Sequence, residues 1–142
     1  MLTRPTEHAI CAMTFLAKQP PGKLSGAREI ATAERIPSPF LWKILHTLAR
    51  HKLVRPFKGV HGGYELARPA RQITLAEVLA AMGETEVLQG CLLGFRDCDK
   101  RTPCPLHPVE EKLRAVLKRT TLGDLVRTPQ RAEKKTSLRP RT

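Results

Sequence analysis

The first half of the chain shows apolar residues at helical spacing in three successive stretches. The first stretch stops at a Pro-Pro-Gly run at residues 20–22, and its apolar face consists of Ala9, Ile10, Met13, Leu16 and Ala17. A short second helix is predicted from Ser25, as its N-cap, to about Glu34. The third helix is predicted to begin with Ser38 as N-cap and Pro39 in its first turn. Its apolar stripe repeats at i, i+3, i+4 and i+7 and consists of Leu41, Ile44, Leu45 and Leu48.

The face of the third helix opposite this stripe is polar and basic, and consists of Trp42, Lys43, His46, Thr47 and Arg50. Two short helices joined by a turn, the second basic on its free face, are typical of a helix-turn-helix unit. Residues 53–55 and 63–66 then alternate as strands do, around a glycine-rich segment at residues 58–62. We interpret this segment as a β-hairpin wing with Lys58 at its tip.

The second half of the chain combines two helical patterns with a long loop. Thr74 and Glu77 match a capping box, and the helix that follows is expected to end at Gly83. Residues 90–108 hold three cysteines and three prolines without a helical period, which predicts a loop. Pro108 then opens a helix with acids in its first turn and a stripe formed by Val109, Leu113, Val116 and Leu117. The stripe could pack on the rest of the chain or on the same helix of a second copy. Thr121 is expected to cap a last short helix.

Composition and charge narrow the class of protein. The chain is 41% hydrophobic and only 4% aromatic, which favours a mainly α fold. Residues 1–72 carry 12 Lys and Arg against 4 Glu (net +8), residues 73–128 carry 8 against 8, and residues 129–142 carry 5 against 1. A basic first half and tail beside a neutral cysteine segment indicate a polyanion partner for the first half. We expect a cytoplasmic protein without a membrane association, because no stretch is apolar enough to span a bilayer and no signal peptide is visible.

The sharpest chemical signal is Cys91-x6-Cys98-x5-Cys104 followed by His107. Thiolates are soft donors that suit iron-sulfur clusters or zinc, and spacings this wide differ from the tight pairs of zinc ribbons. The alternative is three unlinked thiols in a loop. Cys11 lies on the apolar side of the first helix and is expected to be a buried small hydrophobe outside the site. We expect that the protein is not an enzyme, because the chain has no C-x-x-C pair, no phosphate-binding loop and no plausible Ser/His/Asp catalytic set.

Taken together, these motifs resemble the winged-helix transcriptional regulators of the Rrf type, the family of IscR and NsrR. The resemblance covers nearly everything except the tail. It rests on Met1-Leu2-Thr3, Glu7, Ala9, Ile36-Pro37, Phe40-Leu41, Lys43-Ile44-Leu45, Leu53-Val54, Lys58-Gly59, Gly62-Gly63-Tyr64, Ile73-Thr74-Leu75, Cys91-Leu92-Leu93-Gly94, Cys98, Cys104-Pro105-Leu106-His107, Thr120-Thr121-Leu122 and Asp124-Leu125.

The resemblance implies a homodimeric DNA-binding repressor with an iron-sulfur cluster, 2Fe-2S or 4Fe-4S, that senses nitric oxide, redox state or cluster supply. Three cysteines would hold the cluster, namely Cys91, Cys98 and Cys104. The fourth ligand would be either His107 or Glu7 of the partner's first helix. A cluster-free regulator that uses thiol oxidation or zinc is the alternative.

For DNA, the resemblance implies that the start of the third helix approaches the major groove of a double-stranded operator, through Ser38, Pro39, Phe40 and Trp42, and that Lys58 reaches the minor groove. We further expect phosphate contacts from Lys43, Arg50, Arg55 and Lys58, with His61 also in the wing. Two features depart from the family pattern. Lys58 stands where arginine is common, and six residues rather than the usual five separate the first two cysteines.

The expected organisation has four parts. Residues 1–83 would form the winged helix-turn-helix DNA-binding domain, and residues 84–107 the cluster loop. Residues 108–128 would contain a long dimerisation helix and a short last helix, followed by a disordered basic tail at residues 129–142.

Overall fold

A computed structural model describes residues 2–99 and 101–127 of the chain, so the predicted tail at residues 129–142 lies outside the described residues. The fold is mainly α with one small antiparallel sheet, as predicted. In chain order the elements are α1 (Arg4–Ala17), α2 (Ala27–Glu34), α3 (Ser38–Arg50), β1 (Val54–Phe57), β2 (Gly63–Leu66), a 3₁₀ turn (Ala70–Gln72), α4 (Leu75–Ala81), α5 (Thr85–Leu88), α6 (His107–Arg119) and α7 (Leu122–Val126).

The predicted apolar faces of α1 and α3 pack into one core together with α2. Met13, Ile30, Leu41, Leu45 and Leu48 are fully buried. Each of these side chains contributes about 1.5–3 kcal/mol through burial. Because the buried residues of α3 repeat at helical spacing, its opposite face has to point to solvent. Cys11 packs against this core but is only half-buried, so it is less enclosed than expected.

Two predicted helix caps are wrong. Gly26, not Ser25, occupies the N-cap position of α2, and Ser25 instead pairs with Tyr64 of β2 through backbone hydrogen bonds of 3.0 and 2.8 Å. Ser25 therefore forms an isolated β-bridge beside the wing, because its backbone is hydrogen-bonded to Tyr64 of β2. In α3, Pro37 is at the N-cap position and Ser38 is the first helical residue, with no side-chain capping bond.

The wing is a hairpin in which β1 and β2 pair antiparallel, with Val54 opposite Leu66 and Phe57 opposite Gly63. At Gly63 the backbone approaches its neighbour so closely that an added Cβ would lie 2.8 Å from the carbonyl oxygen of Ser25. Glycine is therefore required where the wing meets the segment before α2.

The second half of the chain stays in the core through Val78 and Ala81 of α4 and rejoins it at Leu122. The predicted capping box at Thr74 with Glu77 is present, and Thr121, which was predicted to cap the last helix, forms a second box with Asp124. The two caps lie side by side, because Leu122 donates to the carbonyl of Ile73 and Leu75 donates to that of Thr120, both at 2.9 Å. Leu122 of α7 is fully buried, so α7 is part of the same core as α1.

Between these caps, α6 packs against α4 and α5. It begins at His107, one residue earlier than predicted, and its 13 residues extend about 20 Å. Of the predicted stripe, Leu113, Val116 and Leu117 are half-buried, whereas Val109 is 55% exposed. The short helix α5 lies inside the segment that was expected to be a loop. Among the described residues, none of the helices is both long enough and apolar enough to cross a membrane.

Candidate DNA-binding face and cysteine site

The free face of α3 combines large exposed side chains with positive charge. Phe40 is 57% exposed and Trp42 is 61% exposed, although side chains of this size usually lie inside a protein. Lys43 and Arg50 are also exposed on this helix. Ser38 and Pro39 are exposed in its first turn. The structure thus brings the predicted residues of α3 onto one accessible surface.

The wing lies after α3 in the chain and ends in an exposed tip. Lys58 and His61 are exposed, and Val60 between them is 97% exposed. Gly59 has a φ of +104°, which allows the tight turn that presents these side chains. Arg55, which was predicted to contact phosphate, pairs with Glu65 directly opposite on β2, with 3.2 Å between Nη2 and Oε1. Part of its positive charge is therefore compensated within the wing.

The cysteine loop runs from the end of α5 to the start of α6 and opens with a tight turn. The amide of Gly94 donates to the carbonyl of Cys91 at 2.9 Å, and Gly94 has a φ of +75°. Hydrogen bonds from the backbone amides of Phe95 and then Leu93 lower the pKa of the Cys91 thiol below its usual value. The turn thus favours a thiolate at Cys91, the form that ligates metals.

Cys98 lies near Cys91, close enough for each thiol to change the pKa of the other. The pKa of Cys98 is raised, first by partial loss of hydration and then by the neighbouring Cys91 thiol and the negative charges of Cys91, Glu110 and Cys104. Cys91 therefore ionises before Cys98. All cysteines of the described residues are free thiols.

His107 joins this group from the first turn of α6. Its Nε2 lies 3.6 Å from the Sγ of Cys98, and its amide donates to the carbonyl of Cys104 at 3.1 Å. Cys98, Cys104 and His107 line one open depression. Glu7, the other candidate ligand, lies on α1 with its exposed carboxylate 3.9 Å from Arg4. Within one chain, the structure thus brings His107 to the thiols and leaves Glu7 beside Arg4.

The donor chemistry of the loop fits an iron-sulfur cluster, because three thiols and an imidazole lie on one short segment. In residues 2–99 and 101–127, however, no three His, Cys, Asp or Glu side chains are already placed to hold a metal ion. Bringing all of these donors around a cluster would therefore require the loop to rearrange. The long, proline-containing loop allows such a rearrangement more readily than a helix or strand would.

A buried charged pair beside the loop was not predicted. Glu110 is 3% exposed, although its position in the first turn of α6 suggested a solvated acid that favours the helix dipole. Its carboxylate accepts a hydrogen bond from the amide of Leu92 at 3.0 Å and lies 3.8 Å from Arg114. The signal in the sequence was the i, i+4 spacing of Glu110 and Arg114.

A second carboxylate links the start of α1 to the segment that leads into the loop. Oε1 of Glu84 accepts hydrogen bonds from the amide of Thr3 at 3.0 Å, the Thr3 hydroxyl at 2.8 Å and the Thr6 hydroxyl at 2.6 Å. The Thr6 hydroxyl and the Thr3 amide are the main causes of a lowered pKa for Glu84. Glu84 therefore fixes the chain just before α5 to the first turn of α1.

The helix-turn-helix, the wing and the basic free face of α3 together define a winged-helix transcriptional regulator. Residues 2–128 match the Rrf2 family, described as iron-dependent transcriptional regulators, and the chain belongs to that family. Its sequence relatives include an HTH-type transcriptional regulator of Aquifex aeolicus, 32% identical over 125 residues (84% of this chain and 86% of the relative). NsrR of Shouchella clausii is 32% identical over 130 residues (88% and 87%).

Two solved structures share the fold. CymR, the global cysteine regulator of B. subtilis, superposes with a TM-score of 0.73 and 21% identity, covering 89% of this chain and 96% of CymR. IscR of T. potens superposes with a TM-score of 0.72 and 19% identity, covering 99% of this chain and 93% of IscR. The predicted family and winged-helix fold are thereby confirmed.

Proposed function

We propose that this regulator is a cytoplasmic, sequence-specific repressor whose DNA binding is switched by an iron-sulfur cluster in the cysteine loop. The observation that carries the proposal is the distance of 3.6 Å between His107 and Cys98, with Cys104 lining the same depression. The iron-dependent description of the family and the similarity to NsrR support it. The signal would be nitric oxide, redox state or cluster supply.

On DNA, α3 would enter the major groove with Ser38, Pro39, Phe40 and Trp42 toward the base edges. The support for this is their exposure on the first turns of a helix whose other side is buried. The phosphates would be contacted by Lys43, Arg50, Arg55 and the wing residues Lys58 and His61. Because phosphate contacts release counterions, affinity should fall steeply with salt concentration. Lys43→Ala should reduce that salt dependence by about one counterion.

The protein is proposed to act as a homodimer, so that two copies of α3 reach successive major grooves. The exposed apolar side chains around the cysteine loop and α6 support this arrangement, namely Leu93, Phe95 and Val109, which are 58%, 66% and 55% exposed. Analytical ultracentrifugation tests it, because a monomer at micromolar concentration would contradict the proposal.

The cluster would be held by Cys91, Cys98 and Cys104 with either His107 or the partner's Glu7 as the fourth ligand. The distance of 3.6 Å between His107 and Cys98 favours His107. When bound, a cluster with a nitrogen or oxygen ligand supplies a redox-active centre of adjustable potential. The chain's own contribution is to lower the pKa of Cys91 through the Phe95 and Leu93 amides and to present His107 from the first residue of α6.

A second candidate is a cluster-free thiol switch. The proximity of Cys91 and Cys98, whose thiols change each other's pKa, favours it, because two neighbouring thiols can be converted to a disulfide by a two-electron oxidant. A zinc-binding loop belongs to the same alternative.

The decisive experiment is the visible absorption spectrum, with iron and sulfide analysis, of protein purified without oxygen. We expect a brown protein that is bleached by Cys98→Ala. Cys11→Ala is the matched control, because Cys11 lies on α1 outside the loop, and this variant should keep the colour. A colourless wild type with stoichiometric zinc or free thiols would favour the second candidate.

The fourth ligand is tested by comparing His107→Ala with Glu7→Ala in the same anaerobic preparation. If His107 is the ligand, only His107→Ala shifts the visible spectrum and accelerates loss of iron to a chelator. The reverse pattern would assign the role to Glu7.

A further inference from the structure

Glu110 and Arg114 form a charged pair that is buried between α6 and the start of the cysteine loop. The side chains are 3% and 12% exposed, and Oε2 of Glu110 lies 3.8 Å from Nη1 of Arg114. Removal of two charges from water is unfavourable unless each finds further partners. An acid and a base whose side chains stayed in water would not incur this desolvation penalty at the same helix positions. The other hydrogen-bond partners of the two side chains therefore indicate what the pair holds in place.

Those partners are backbone groups on both sides of Cys91. Glu110 accepts the amide proton of Leu92 at 3.0 Å, and Arg114 donates through Nη2 to the carbonyl of Gly90. Arg114 also donates through Nε to the carbonyl of Val87 on α5, at 3.3 Å. Gly90 and Leu92 are the residues on either side of Cys91. These hydrogen bonds from α6 therefore fix the backbone of Cys91 and do not involve its thiol.

The same helix presents His107 from its first residue, with Nε2 beside Cys98. Both ends of the cysteine site are thus held relative to one rigid element. Cys91 is fixed through the charged pair, and His107 is fixed because it is part of the helix itself.

We propose that Glu110 and Arg114 are the positioning residues of the cysteine site, holding Cys91 in place relative to His107 before a cluster is bound. This inference rests on the proposed function of the loop as a cluster site. Groups that orient ligands without touching the metal strongly affect retention of the metal, because they limit the conformations the ligands would otherwise adopt.

The test compares four variants of the full chain. Glu110→Leu removes the acceptor for Leu92, whereas Glu110→Gln keeps an amide oxygen at that place. Arg114→Met removes the donors to Gly90 and Val87. Glu111→Leu is the matched control, because Glu111 is the exposed neighbour on the same helix.

Two quantities are measured. In the cluster-free protein, the amide of Leu92 should exchange its hydrogen about tenfold faster in Glu110→Leu, because it loses a hydrogen bond to a charged acceptor. In the anaerobic, coloured protein, loss of the visible absorption to a chelator should be about tenfold faster in Glu110→Leu and Arg114→Met. Glu110→Gln should give an intermediate rate, and Glu111→Leu the wild-type rate.

Wild-type rates in both measurements would overturn the proposal, and so would faster exchange with unchanged loss of colour, since the pair would then serve the fold alone. If Glu110→Leu does not fold, Glu110→Gln and Arg114→Met decide by the same criteria. A colourless wild type refutes the proposed function and this role with it. A coloured wild type with unaffected variants refutes only the positioning role.

Discussion

Replacement of Glu84 tests how the first turn of α1 is attached to the segment that leads into the cysteine loop. One oxygen of Glu84 accepts three hydrogen bonds, from the Thr3 amide and from the hydroxyls of Thr3 and Thr6. Thr6 is fully buried, whereas Glu84 itself is half-buried. A buried hydrogen bond to a charged group contributes about 1.5–3 kcal/mol. Because solvent screens part of this site, we expect Glu84→Ala to lower the free energy of unfolding by about 1–2 kcal/mol in total.

The pH dependence separates the charge of Glu84 from its size. The pKa of Glu84 lies below its ordinary value of 4.5, because the Thr6 and Thr3 donors favour the carboxylate. Its ionised form therefore stabilises the fold above that ordinary value, and this contribution is lost as the pH falls through the lowered pKa. Glu84→Gln keeps the size and one acceptor oxygen. It should therefore be less stable than the wild type near pH 7, and the difference should be smaller at about pH 3.

Urea denaturation of the cluster-free protein at both pH values provides the measurement. Glu86→Gln is the matched control, because Glu86 is exposed on α5, two residues further on. A stability difference for Glu84→Gln that is the same at both pH values would refute the assignment of the stabilisation to the carboxylate. No effect of Glu84→Ala would refute the attachment altogether.

Three further substitutions test the core and the wing by urea denaturation. Ser25→Ala should leave the free energy of unfolding unchanged or raise it by up to about 1 kcal/mol, since the buried Ser25 hydroxyl has no hydrogen-bond partner among the described residues. A clear loss of stability would show that this hydroxyl does form a hydrogen bond. Gly63→Ala should lower stability by about 1–3 kcal/mol and weaken operator binding, because the added methyl group would overlap the Ser25 carbonyl; wild-type behaviour would contradict the close approach. Leu122→Ala should lower stability by about 2–5 kcal/mol, against a smaller effect of Val126→Ala on the half-buried side of α7. If Leu122→Ala and Val126→Ala lowered stability equally, the assignment of α7 to the core would be wrong.

The elements of the DNA-binding half could be predicted because each is specified locally. The apolar stripe of α3 repeats at helical spacing, the wing alternates around glycines, and the boxes at Thr74 and Thr121 are formed by residues three positions apart. The free face of α3 followed directly from its buried face. Such features depend on residues that are close together in the sequence, so they can be predicted without knowledge of the fold.

The features that were missed depend on contacts between distant parts of the chain. Ser25 was predicted to cap α2, but its backbone is hydrogen-bonded to Tyr64, which is distant in the sequence. Glu110 was predicted only as one of the acids in the first turn of α6, because its hydrogen bond to the amide of Leu92 depends on how the chain folds over α6. Helix α5 has four residues, too few for a period to be visible. The sequence singled out Cys91, Cys98, Cys104 and His107 as a group, but not the contact between Cys98 and His107.

The pairing of the caps at Thr74 and Thr121 brings together the two ends of the segment between them. Both ends of residues 75–119 are fixed at one place, by bonds that do not involve the cysteine loop. The entropy of closing such a segment changes only with the logarithm of its length, by about 0.6 kcal/mol for a doubling. One residue more or less between the first two cysteines therefore has almost no effect on the stability of the helix-turn-helix. The spacing of the thiols can thus vary independently of the helix-turn-helix.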